Sequence, residues 1–197
     1  MIRIARAGSY PVSHWSGGTT TQLYIYPETA EYAKRNFLFR LSSATVEGER
    51  SDFTRLEGVR RILMVLEGAL HLTFEGQSET ALLPYEQVAF DGGGHTQSRG
   101  RATDYNAMMR GGTQAEVISL VLQEGEEKLM PFCPRGEQFL IYCTHGRCSI
   151  EGENGEEELT LRDLAVIGGE ERVRLIGRRG SHCHLVCCRV WGLTQDE

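Results

Sequence analysis

The chain repeats itself at long range. "VLEGALHL" (Val65–Leu72) and "CTHGRCSI" (Cys143–Ile150) share a strand, a glycine and a second strand, with Gly146 lying 78 positions after Gly68. "LLPYEQVAF" (Leu82–Phe90) returns as "LTLRDLAVI" (Leu159–Ile167), in which Asp163 follows Glu86 by 77 positions, and "YNAMMR" (Tyr105–Arg110) returns as "HCHLVCC" (His182–Cys188). Each copy reads as a hairpin around the glycine, a polar turn, a strand led in by an acidic residue, a loop and a closing strand. A period of this length, filled by β units, describes one small antiparallel barrel made twice.

Strand signals dominate elsewhere too. "RILMVLEGALHLTFEG", "EQVAFDG", "AEVISLVLQ", "EQFLIYCTHGRCSIEG" and "HLVCCRVWG" are short, rich in β-branched and apolar residues, and separated by glycine-bearing turns. The fair helix candidate is short, around residues 30–35 in "PETAEYAKRNF". The expected class is therefore all-β: two cupin-like barrels (double-stranded β-helix or jelly-roll) in one chain, a bicupin, with an N-terminal barrel over 1–114 and a C-terminal barrel over 115–197. The alternative is one continuous β-sandwich whose hairpins look alike.

A 40% hydrophobic content is ample for buried cores, and no run approaches the roughly 20 apolar residues of a membrane span. The start, "MIRIARAGSYPVSHW", has no continuous apolar segment of the kind that targets secretion. A cytoplasmic protein without a membrane partner is expected. The net charge of −6 argues against a nucleic-acid partner. Cys133, Cys143, Cys148, Cys183, Cys187 and Cys188 show no CxxC spacing, and four of them sit in apolar runs, so they read as reduced thiols behaving as small hydrophobes.

A metal centre needs three or four converging ligands. His71 alternates within "ALHLTF" as a structural residue, and His95 lies in a glycine loop. His182 and His184 share one strand face, but third and fourth ligands are not apparent. No metal, cofactor or catalytic set is assigned; GxSxG and phosphate-cradling motifs are absent.

Polar residues in strands that otherwise read as core carry more. In "NFLFRLSSATVEG", Arg40, Ser42 and Ala44 share a face; in "TDYNAMMRGG", Asp104, Asn106, Met108 and Arg110 do so. Guanidinium, amide and hydroxyl groups converging on one cavity suit a small carboxylate. Arg40 paired with Asp104 or Glu47 as a strand tie is the structural alternative. The segment "HWSGGTTTQLYIYP" fits the same picture: Gly17–Gly18 lets the chain bend over a barrel mouth, Thr19–Thr21 presents hydroxyls to it, and Trp15 closes one side. Its alternative is a capped barrel end with Trp15 in the core.

"HWSGGTTTQLYIYP", "FRLSSATVEGERSDFTRLEGVRRILMVLEGALHL" and "TDYNAMMR" together resemble the HutD/Ves family, over about the first 110 residues. The resemblance implies a bicupin associated with bacterial histidine utilisation, no established enzymatic activity, and a pocket in the N-terminal barrel. By motif, the implied ligand-binding positions are Trp15, Thr21, Arg40, Ser42, Phe53, Arg61, Asn106 and Met108. Departures from the family pattern are Gln22–Leu23 after the threonines, Thr54 for the usual serine, and Tyr105 for phenylalanine. The expected partner is a small anionic metabolite of the urocanate, formiminoglutamate or formylglutamate class, bound by a sensor or regulator. The alternative is a cupin enzyme, an isomerase or hydrolase, metal-dependent through His182 and His184 or metal-free. A homodimer follows from cupin analogy.

Overall fold

The computed structural model describes residues 1–76, 79–178, 180 and 182–193. Its strands, in chain order, are β1 (Ile2–Ala5), β2 (Val12–Trp15), β3 (Gly18–Tyr26), β4 (Phe39–Val46), β5 (Arg50–Asp52), β6 (Arg60–Gly68), β7 (Leu70–Phe74), β8 (Thr80–Leu82), β9 (Gln87–Asp91), β10 (Thr96–Arg99) and β11 (Ala102–Met109). They continue with β12 (Gln114–Leu122), β13 (Glu127–Leu129), β14 (Gln138–His145), β15 (Arg147–Gly152), β16 (Gly155–Thr160), β17 (Leu164–Gly168), β18 (Arg174–Gly177) and β19 (Cys183–Trp191). All strand pairs are antiparallel.

Two compact units result, one of Pro11–Thr113 and one of Met1–Tyr10 with Gln114–Glu197. In the 11–113 unit the sheets run β2-β3-β4-β11-β6-β9 and β5-β10-β7-β8; in the other they run β1-β17-β14-β19-β12 and β13-β18-β15-β16. Taking β4 with β12, β5 with β13, and β6 to β11 with β14 to β19, the orders coincide strand for strand. The repeat is thus a repeat of barrels. The division differs from the expected 1–114 and 115–197 at residues 1–10 and at Gln114. Residues 1–10 belong with the second barrel, because β1 pairs with β17 and Ile2 and Ile4 pack on that barrel's core.

The local reasons for the duplication are specific. Gly68 and Gly146 both adopt positive φ (79° and 69°), and a Cβ on Gly68 would lie 2.2 Å from the Arg101 carbonyl oxygen. The next corners also agree. Glu86 accepts the Leu83 N–H (2.8 Å) and Asp163 accepts the Thr160 N–H (3.0 Å). The residue before each, Tyr85 or Arg162, sits at φ 67° and donates its N–H at 2.7 Å to Val65 or Cys143. A β-bulge interrupts the β6–β11 pairing beside Val65 and the β14–β19 pairing beside Cys143.

Alternation fills the cores. Leu63, Val65, Leu70, Leu72 and Leu82 meet in the 11–113 unit; Ile141, Cys143, Cys148, Ile150, Leu159, Leu175 and Cys183 meet in the other. Each leucine removed from water contributes about 2 kcal/mol. All six cysteines are buried free thiols, and Cys143 Sγ lies 3.7 Å from Cys183 Sγ. The helix expected near 30–35 is a single 3₁₀ turn, Tyr32–Lys34, with no side-chain N-cap and Arg35 left-handed at its end (φ 56°). No helix among the described residues is long and apolar enough to cross a membrane.

Candidate functional site

A cavity of about 310 Å³ opens in the 11–113 unit. Its floor is the pocket face of three adjacent strands: Arg40, Ser42 and Ala44 from β4, Asp104, Asn106 and Met108 from β11, and Arg61 from β6. Phe53 and Thr54 form one wall, and His14, Trp15, Thr20 and Tyr32 reach over from the hairpin and the 3₁₀ turn. Seven of the eight positions singled out in the sequence line this cavity. Thr21 does not. Register explains it: Thr20 pairs with Ala44, which faces the cavity, whereas Thr21 pairs with Ser43, which faces away. Thr20 lines the cavity instead, its Oγ1 accepting the Trp15 indole N–H at 3.2 Å.

The glycine pair makes that roof possible. A Cβ on Gly17 would stand 2.1 Å from the Trp15 ring, and one on Gly18 (φ 152°) would stand 1.8 Å from the Thr45 carbonyl oxygen. Trp15 is not core; it remains 37% exposed at the cavity edge.

Two guanidinium groups dominate the interior. Arg40 and Arg61 are only 5% and 3% exposed, and neither forms an ion pair with a carboxylate among the described residues. Arg40 Nε donates to Gln22 Oε1 (3.0 Å), one terminal nitrogen donates to Ser42 Oγ (3.1 Å), and the group stacks 4.1 Å from the Tyr32 ring centroid. The expected alternative of Arg40 tied to Asp104 or Glu47 is therefore not what holds it. Arg61 donates to the Thr54 carbonyl (2.6 Å) and lies beside the Phe53 and Phe90 rings. Burial lowers both arginines, Arg40 to about 10. Buried charge held this way, without an ion-pair partner among the described residues, favours an incoming anion.

Asp104 accepts the Ala44 N–H (3.2 Å) and is 2% exposed; burial pushes its carboxyl up to about 7, against the weaker pull of Arg61. Two buried polar atoms on this floor have no hydrogen-bond partner, Arg61 Nε and Asn106 Oδ1, one a donor and one an acceptor. An unpaired buried polar atom costs about 1–3 kcal/mol. The arrangement can thus take a carboxylate at the guanidinium groups and an N–H or O–H at Asn106. Sequence reading missed Tyr32, which no periodicity marks, and placed Asp104 on the polar face of its strand without a binding role.

The histidines other than His14 lie outside the cavity lining. His71 contacts Glu79 and His95 contacts Asp52, both at the surface. His182 stacks on His145 (ring centroids 4.8 Å apart), and His184 pairs in register with His145. No group of three His, Cys, Asp or Glu side chains among the described residues is placed to hold a metal ion.

Twin antiparallel barrels with a polar mouth in one of them define a cupin-type, two-barrel protein. The HutD family model matches residues 7–185, and the chain belongs to the HutD family. It is 34% identical over 92 residues to an uncharacterized 21.2 kDa protein of the hutC 3′ region of Pseudomonas putida; the match covers 46% of this chain and 47% of that one, so it spans about half the length of that relative. Among solved structures, a conserved protein of unknown function from Pseudomonas aeruginosa superimposes with a TM-score of 0.83 at 21% identity, covering 98% of this chain and all of that one. HutD from Pseudomonas fluorescens, solved in a formate condition, superimposes with a TM-score of 0.70 at 21% identity over 95% and 98% of the two chains.

Proposed function

We propose that the chain binds a small anionic metabolite of histidine catabolism in the cavity of the 11–113 unit, and that it acts in the cytoplasm as a sensor or regulator. The ligand class is that of urocanate, formiminoglutamate or formylglutamate: a carboxylate on an elongated body that carries nitrogen or a further polar group. One observation carries the reading. Two nearly fully buried guanidinium groups share a cavity, and among the described residues neither forms an ion pair with a carboxylate, Asp104 on the same floor included. Arg40 and Arg61 hold the carboxylate, Ser42 and Thr20 supply hydroxyls, Asn106 Oδ1 accepts a ligand N–H or O–H, and Trp15 and Phe53 flank the body. Membership of the HutD family supplies the link to histidine utilisation.

The test is a thermal-shift screen with these three acids, followed by calorimetry on each hit. A ligand that binds only the native state raises Tm by mass action. The expected result is a shift with at least one of them that Arg40→Ala and Asn106→Ala reduce while both variants keep their far-UV circular dichroism. No shift with any of the three, or a shift that both variants retain, overturns the reading.

A further inference from the structure

The paired registers let the second barrel's mouth be read position by position against the first. Ala44 and Val65 flank Asp104, and Leu120 and Cys143 flank Leu185 in the same way. Stepping along the strands, Arg40 and Ser42 correspond to Glu116 and Ile118, Arg61 to Phe139, and Asn106 and Met108 to Cys187 and Arg189. The anion-holding set has become Ile118, Phe139 and Cys187, lining an apolar hollow of about 120 Å³. The roof is gone as well: β4 is flanked by the β2–β3 hairpin, while its counterpart β12 is a sheet edge.

What this leaves exposed is large and apolar. Ile118 is 51% exposed, Phe132 beside the rim residue Pro131 is 44% exposed, and Trp191, against the Arg189 guanidinium, is 36% exposed. We propose that this mouth is a self-association surface, closed by a second copy of the chain across a two-fold axis with each Phe132 ring entering the other copy's Ile118–Phe139–Cys187 hollow.

Self-complementarity singles out a second copy as the occupant. The surface carries both plug and socket, since a dry hollow of about 150 Å³ accepts a benzene ring and this open one is of that order. It also carries both charges. Glu116 and Arg189 face each other across β12 and β19, and Arg189, lying between the Phe139 and Trp191 rings, commits Nε to Glu137 (2.7 Å), while its terminal nitrogens meet no second carboxylate within ion-pair distance among the described residues. A two-fold axis sets each Glu116 against the other copy's Arg189, as an isologous contact requires.

Sedimentation velocity of the full chain over a wide concentration range tests this. The expected result is a reversible dimer whose dissociation constant rises at least about tenfold in Phe132→Ser and in Ile118→Glu, the range for a central aromatic or aliphatic anchor. Glu116→Arg weakens it and Glu116→Arg with Arg189→Glu recovers part of the loss. Phe132 lies at the rim, so Phe132→Ser decides the matter if Ile118→Glu does not fold. A monomer at every concentration, or a dimer that Phe132→Ser leaves intact, overturns the proposal.

Discussion

The Arg40 guanidinium lies 4.1 Å from the centroid of the Tyr32 ring, so a charge buried on a strand is held by an aromatic face from a 3₁₀ turn rather than by a carboxylate. Cation–π contact offsets part of the desolvation without neutralising the charge, which stays available to a ligand. Arg40→Ala should weaken carboxylate binding by about 1.5–3 kcal/mol, tenfold or more in Kd. Tyr32→Leu should lose less, because it misplaces the cation without removing it. Calorimetry with the best-binding acid measures both.

Asp104 titrates near 7 in the folded chain and near 3.9 when unfolded. The native state therefore holds the proton more tightly. The stability this gives is complete below about pH 4 and is lost as the pH rises through 7. Asp104→Asn removes the titration while keeping an acceptor for the Ala44 N–H, so its Tm relative to the unaltered protein should climb between pH 5 and 8. Carboxylate affinity should fall over pH 6–8 in the unaltered protein and stay level in the variant, since an ionised Asp104 repels the ligand. Thermal denaturation and calorimetry at stepped pH read the two effects; a constant Tm difference would mean that Asp104 titrates alike in both states.

How much of this was legible in the sequence depends on the range of the forces involved. The repeat could be read because Gly68 and Gly146, and the Glu86 and Asp163 corners, answer local backbone demands that leave fixed residue types at fixed spacing. Arg40, Ser42, Asn106 and Met108 could be read because strand alternation puts them on one face. Thr21, carried over from the family motif, lies off the cavity because the phase of β3 depends on its register with β4, which sets Thr20 rather than Thr21 opposite Ala44. Residues 1–10 went to the wrong barrel because the β1–β17 pairing spans most of the chain.

Gly18→Ala should cost about 2–4 kcal/mol, as expected where a side chain meets backbone in a conformation that disfavours it. Gly17→Ala should cost less stability and more binding, because its clash is with the end of the Trp15 side chain, which can swing away from the cavity. Chemical denaturation and ligand titration on the two variants separate these outcomes; equal losses of stability would contradict the difference.

His184 is held below the usual imidazole range by burial and by the neighbouring His145 and His182. Its proton is bound more tightly in the unfolded chain, so the stability involved is present above about pH 6.5 and is lost as the pH falls from there through the lower folded-state value. His184→Gln should flatten the decline in Tm between pH 7 and 5. Imidazole proton shifts followed by NMR should place the His184 midpoint below the usual imidazole range.

Glu86 and Asp163 build the same corner twice, in two barrels whose mouths differ in chemistry. The molecule thus contains its own reference experiment. A substitution in one mouth can be judged against an equivalent position in a barrel with the same strand order, so losses that come from weakening the scaffold separate from losses that come from altering the ligand's surroundings.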